Sequence, residues 1–197
     1  MAVVCNKVRE DKKTHVTTTA KLYTQTELVM LVEEAVSGNF EAFGELYSVY
    51  LDRIYRYVFY QVNDRMTAED ITEEVFLKAW RAIGTCKGKE KTFLSWLYRI
   101  AHNHLINTLR SMKRLISIEK DNIVELTDPK QEIKTNLDFQ ELLETITCLP
   151  QNQKQVIILK FIEGMDNREI SKIMKKNEGA IRVLQMRALS KLKERFN

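Results

Sequence analysis

Apolar residues recur every three or four positions over most of the chain, which is the signature of helices with one buried face. Leu28, Leu31, Val32 and Ala35 mark the first such face, from Thr26 to a stop at Ser37-Gly38-Asn39. Phe43, Leu46, Tyr47, Tyr50, Ile54 and Val58 mark a second. Thr67-Ala68-Glu69-Asp70 has the form of a capping box and opens a third helix with Ile71, Val75, Phe76, Ala79, Trp80 and Ile83 inward. Residues 84–91, with two glycines and alternating lysines, read as an exposed loop. A fourth helix from near Thr92 carries Phe93, Trp96, Leu97, Ile100, Ala101 and Leu105.

The period weakens from Ser111 to Thr135, where acidic residues gather and Asp128-Pro129 forms a turn. It then resumes. Leu137, Leu142, Leu143, Ile146 and Leu149 mark one helix, and Pro150 suits the first position of the next, which runs to about Glu163 and is closed by Gly164. Asp166 with Glu169 resembles a capping box for a short helix through Met174, and Asn177 can cap a last helix over about 178–195. The expected fold is therefore all-α, with two small helical domains joined by a flexible linker. A disordered tail at 1–22, a helical bundle at 23–112, the linker at 113–135 and a helix-turn-helix body at 136–197 are the expected divisions.

Composition agrees with this picture, since 2 prolines and 6 glycines in 197 residues exclude a turn-rich all-β fold. The net charge of +4 is unevenly spread: residues 151–197 hold 11 Lys and Arg against 5 Asp and Glu, while 111–150 hold 5 against 8. A polyanion would be drawn to the C-terminal end. Cys5, Cys86 and Cys148 are scattered and suit reduced thiols rather than a disulfide framework. His102 and His104 fall on nearly opposite sides of one helix with no ligand-spaced partners, so neither a metal nor a cofactor is expected. There is no membrane-length apolar run and no signal-peptide core, which suggests a soluble cytoplasmic protein without membrane insertion.

A short helix, a turn of about three residues and a longer helix form the helix-turn-helix arrangement, whose second helix enters the DNA major groove. On the wheel of the last helix Ile181, Leu184, Ala188 and Leu192 form one narrow apolar stripe. Arg182, Val183, Met186 and Arg187 point away from it. An outward Val and Met between two arginines suits base edges and thymine methyls better than plain solvent, whereas the bland alternative is a helical bundle with a basic outer face. Lys172, Lys175, Lys176 and Lys191 are better placed for phosphates.

The stretch LPQNQKQVIILKFIEGMDNREISKIMKKNEGAIRVLQMRALSKL resembles region 4 of bacterial sigma-70 family factors. FGELYSVYLDRIYRYVFYQVNDRMTAEDITEEVFLKAWRAI, followed by FLSWLYRIAHNHLINTLR, resembles region 2. The two blocks stand in family order over about residues 40–110 and 145–195. With no room for a third domain between them, the chain is similar to the small extracytoplasmic-function (ECF) group, which binds RNA polymerase core enzyme, directs it to promoters and helps open the duplex.

That resemblance implies the following roles. Asp70, Glu73, Glu74 and Lys78 would meet a coiled coil of the β′ subunit, with further contacts to β; Glu73 stands where the family usually has Gln, keeping the acceptor without the amide donor. The Lys87, Lys89 and Lys91 loop would capture a flipped base of the minus-ten element, and Trp96, Arg99, Asn103 and Arg110 would approach the strand and the upstream duplex. For Trp96 alone, burial in the core is the favoured reading. Arg182, Val183, Met186 and Arg187 would read the minus-thirty-five element. The family's usual small residue in the helix-turn-helix turn is replaced by Lys175 or Lys176. The acidic linker would cross the RNA-exit region, and an anti-sigma factor would hold the protein inactive. The alternative function is a stand-alone helix-turn-helix transcriptional regulator. An enzyme is not expected, because no metal cluster, P-loop or nucleophile arrangement is present.

Overall fold

The computed structural model describes residues 23–86, 90–119 and 145–196. Among them the architecture is all-α, with no strand. The N-terminal body comprises α1 (Gln25–Val36), α2 (Phe40–Val62), α3 (Arg65–Ala82) and α4 (Glu90–Glu119). The C-terminal body comprises α5 (Gln151–Ile157), a π-helical segment (Ile158–Ile162), α6 (Asn167–Met174) and α7 (Glu178–Phe196).

The helices start where short polar side chains satisfy free backbone N–H groups. Thr24 and Glu27 form a reciprocal box at the start of α1, and Asn39 accepts from the Ala42 N–H at the start of α2. The third helix departs from expectation. Its cap is Asp64, whose carboxylate accepts from the Thr67 N–H at 2.8 Å, so α3 begins ahead of the Thr67 box. Asn63 explains the shift: its left-handed backbone (φ 54°) ends α2, leaving Asp64 extended and free to cap. The fourth helix begins at Glu90 rather than near Thr92 and continues through Glu119, past the residue 112 boundary. The loop before it is not wholly exposed, since a 3-10 turn at Ile83–Thr85 tucks Cys86 to 5% exposure.

The N-terminal core is aromatic. Leu46, Ile54, Tyr57, Val75, Phe93, Leu97, Tyr98 and Leu105 are all fully shielded from solvent, and burial of each large apolar side chain contributes roughly 1.5–3 kcal/mol. Tyr57 meets Tyr98 edge-on at 5.3 Å, and Phe93 packs on Trp96 at 5.7 Å. With 6% exposure Trp96 belongs to this core, which corrects its place among residues that would touch DNA.

In the C-terminal body the expected continuous helix to Glu163 is interrupted, because Ile158–Ile162 widens to π geometry and Gly164, at φ 72°, closes it. Pro150 is the residue before α5 rather than its first. The two later caps match the expected pattern: Asp166 and Glu169 bond each other's backbone N–H groups at 2.7 and 2.9 Å, and Asn177 accepts from the Ala180 N–H at 2.7 Å. Ile181 and Ala188 are buried against this body, with Leu184 and Leu192 half-buried beside them. The two bodies are in contact, α6 lying on α4 and α5 touching α2.

Candidate nucleic-acid interface

Burying Ile181 and Ala188 turns the opposite side of α7 outward. Val183 is 41% exposed and Met186 61%, and Arg182 and Arg187 are exposed beside them. Arg182 stands 3.8 Å from Glu178 one turn earlier; an exposed pair of this kind is weak and leaves the guanidinium free for a stronger partner. Leu189, 43% exposed, adjoins this face and was not expected there; it lies off the apolar stripe of the wheel, and that offset was the signal available.

Lys175 has φ 52°, in the left-handed region, and its N–H bonds the Ser171 carbonyl to close α6. A side chain there costs about 1 kcal/mol. Lys175→Gly is therefore expected to stabilise the fold by about 1 kcal/mol, less whatever glycine's freedom in the unfolded chain returns, as read from a denaturant midpoint. Lys172 and Lys176 are exposed on the same edge.

On α4, Arg99, Asn103 and Arg110 share one exposed stripe, since spacings of four and seven bring residues back to the same side. Lys87 and Lys89 lie outside the described residues, as does the side chain of Lys91. His102 faces inward instead. Burial first, then Lys176 and Lys175, holds its imidazole down to about 4, so it is neutral at ordinary pH. His104 is lowered too, mainly by burial.

On α3, Asp70, Glu73 and Glu74 are exposed. Lys78 donates to Glu74 at 2.6 Å, and this hydrogen bond holds the Glu74 carboxyl below the usual range. Glu73 borders a groove of ≈ 390 Å³ walled by Phe40, Phe43, Tyr47, Phe76, Leu77 and Trp80. Phe40 is 66% exposed and Leu77 50%, an apolar opening beside carboxylates that the periodicity did not reveal. Trp80 closes its floor, meeting Phe40 edge-on at 5.4 Å and Phe43 at 5.0 Å.

Among the described residues no cluster of His, Cys, Asp or Glu could hold a metal ion, and no helix is long and apolar enough to cross a membrane.

Comparison with known proteins gives the family. The Sigma-70 region 2 family model matches residues 46–115, and the Sigma-70, region 4 model matches residues 139–192. The ECF RNA polymerase sigma factor BldN of Streptomyces coelicolor is 35% identical over 169 residues, which are 84% of this chain and 64% of that relative's length. RNA polymerase sigma factor SigV of Bacillus subtilis is 31% identical over 135 residues, 68% of this chain and 79% of the relative. Two solved structures share the fold. CnrH in complex with the cytosolic domain of CnrY has a TM-score of 0.67 at 21% identity, covering 86% of this chain and 97% of that one. The sigma factor RpoE in complex with the anti-sigma factor NepR from Bartonella quintana gives 0.66 at 21% identity, covering 77% and 94%. Two matched regions in family order, each carrying its own outward face, make this chain a member of the sigma-70 family, in its extracytoplasmic-function group of RNA polymerase sigma factors.

Proposed function

We propose that the chain binds RNA polymerase core enzyme and directs it to promoters, dividing the work among three faces. The exposed carboxylates Asp70, Glu73 and Glu74, with Lys78 and the neighbouring aromatic groove, dock on core, principally on β′ with further contact to β. Arg99, Asn103 and Arg110, with the lysines at 87, 89 and 91, hold the minus-ten strand as it is unpaired. Arg182, Val183, Met186 and Arg187 read the minus-thirty-five element, while Lys172, Lys175 and Lys176 reach phosphates. Trp96 supports the second of these faces from within the core instead of touching DNA.

The observation that carries this reading is the pairing, in one chain, of two DNA-suited surfaces with a separate acidic and apolar one. A repressor needs only the first kind. Two weak DNA contacts become useful once a shared enzyme tethers both, because effective concentration replaces intrinsic affinity. The chain supplies no catalytic step of its own, and its place of action is the cytoplasm, where the polymerase works. The two solved structures pair CnrH with the cytosolic domain of CnrY and RpoE with the anti-sigma factor NepR, and an anti-sigma factor is the corresponding partner here.

Run-off transcription from a promoter library with purified core tests the proposal. Specific starts are expected only when chain and core are both present, and gel shifts of promoter DNA should require core. A strong sequence-specific shift by the chain alone, with no transcription, would favour the stand-alone regulator.

A further inference from the structure

Gly179, in the first turn of α7, has no internal reason to be a glycine. Gly38 and Gly164 hold left-handed backbone, at φ 97° and 72°, where a side chain is strained. Gly179 carries no such requirement. A Cβ at this position would come no nearer than 3.4 Å to another atom, the Asn177 Oδ1, which is ordinary contact. Capping does not call for it either, since Asn177 caps the turn through the Ala180 N–H. Alanine would fit the fold and favour the helix, so glycine gives up stability here for nothing that the chain itself supplies.

Its position says what lies outside. Four and seven residues further along α7, the same side of the helix comes round to Val183 and Met186, the exposed pair of the reading face. Gly179 is exposed with them. Along this line the side chains lengthen, from none at Gly179 through the short, branched Val183 to the long Met186, so the face tapers towards the start of the helix. Seven residues at 1.5 Å each advance about 10 Å, roughly the height of three base pairs. A tapered face meets a groove floor evenly only when the helix is inclined with its first turn deepest, and the recognition helix of a helix-turn-helix presents its N-terminal residues to base edges. Arg182 and Arg187 flank the line on either side. Their reach to those edges depends on how closely the backbone between them sits.

We propose that Gly179 sets the depth of the minus-thirty-five contact: lacking a Cβ, the first turn of α7 brings its backbone into van der Waals contact with the duplex, which seats Arg182, Val183, Met186 and Arg187 at reading distance. It is a positioning residue, because what it contributes is the absence of a side chain. This role rests on the minus-thirty-five reading given above. A methyl added at a close-packed contact displaces one of the partners, so any side chain at 179 lifts the whole helix from the groove.

The test compares Gly179→Ala and Gly179→Val with the parent in the full chain, reading folding and promoter binding separately. On the free chain, the urea midpoint of Gly179→Ala is expected to equal or exceed that of the parent. Reconstituted with core, the same variant should bind a promoter carrying the upstream element about tenfold more weakly, and Gly179→Val more weakly still, with association with core unchanged. A purely structural role predicts the opposite: a lower midpoint, and binding that falls only as far as folding does. The arginines give a second readout. In a Gly179→Ala background, Arg182→Ala should cost a smaller fold-loss than in the parent, because the lifted helix no longer holds that guanidinium at base distance. Unchanged promoter binding by Gly179→Ala, a lower midpoint that accounts for the loss, loss of core association, or an undiminished cost of Arg182→Ala overturns the proposal. If Arg182→Ala and Arg187→Ala bind the upstream element as the parent does, the minus-thirty-five reading itself fails and the depth-setting role falls with it. If both weaken binding and Gly179→Ala does not, the depth-setting role alone is refuted.

Discussion

Arg182→Ala and Arg187→Ala are each expected to weaken holoenzyme binding at the minus-thirty-five element by about 1–3 kcal/mol while leaving association with core unchanged. The direction follows from where the side chains point. Both arginines leave α7 on the side opposite Ile181 and Ala188, which carry its packing, so truncation removes reach without opening a cavity. Alanine is also the best helix former, and the exposed contact to Glu178 at 3.8 Å is too weak for its loss to unfold the helix. Core docking is assigned to α3, which α7 does not share. Filter or fluorescence binding of reconstituted holoenzyme to promoters carrying single substitutions in the upstream element separates the possibilities. The arginine variants should lose discrimination at one base pair each, whereas Lys172→Ala should weaken all sequences alike and flatten the salt dependence. Loss of core association in either arginine variant would refute this division of labour.

Acidification from pH 6.5 to pH 4 should cost the folded chain up to about 3 kcal/mol through His102 alone, taking 1.36 kcal/mol per pH unit. In the folded chain burial, then Lys176 and Lys175, lowers this imidazole from 6.5 to about 4. Between those values the unfolded chain binds a proton that the folded chain refuses, so stability is fully present above pH 6.5 and declines as the pH falls towards 4. His104, also lowered, adds a smaller loss of the same sign. Carboxylates such as Asp64 and Glu74, held low by their hydrogen bonds, lose their contributions at more acid pH. Urea midpoints measured from pH 7.5 to 4 on the parent and on His102→Leu isolate the effect: the parent should slope, and the variant should be flatter by about that amount. Parallel curves would mean that the imidazole titrates normally and faces water.

Much of this molecule was legible in its amino-acid order, for reasons that differ between parts. The Asp166–Glu169 box, the Asn177 cap and the outward face of α7 were readable because each depends on neighbours three or four residues apart. The Thr67 box misled because Asp64, three residues earlier, offers the same chemistry, and only the left-handed turn at Asn63 selects it. The π-helical segment was invisible, since Ile157, Ile158 and Leu159 are all buried and an unbroken apolar run carries no phase. Trp96 suited either core or strand contact on its own, and its packing on Phe93 decided the matter. The Tyr98–Glu163 contact between the two bodies was beyond any local pattern. Glu163 reads as an ordinary helix end, Tyr98 as one more aromatic, and nothing in their order announces a hydrogen bond across 65 residues.

The widened turn at Ile158–Ile162 also governs angle. An α-helix advances about 100° per residue, so accommodating one surplus residue in a single turn rotates everything downstream by that amount relative to a regular continuation. Deleting one residue from this turn would preserve every cap and every apolar contact pattern further along, yet point the following pair of helices, and with them the arginine-bearing side of the last, about a quarter-circle away. The pitch of one turn is thus the azimuth setting of the whole C-terminal reading head.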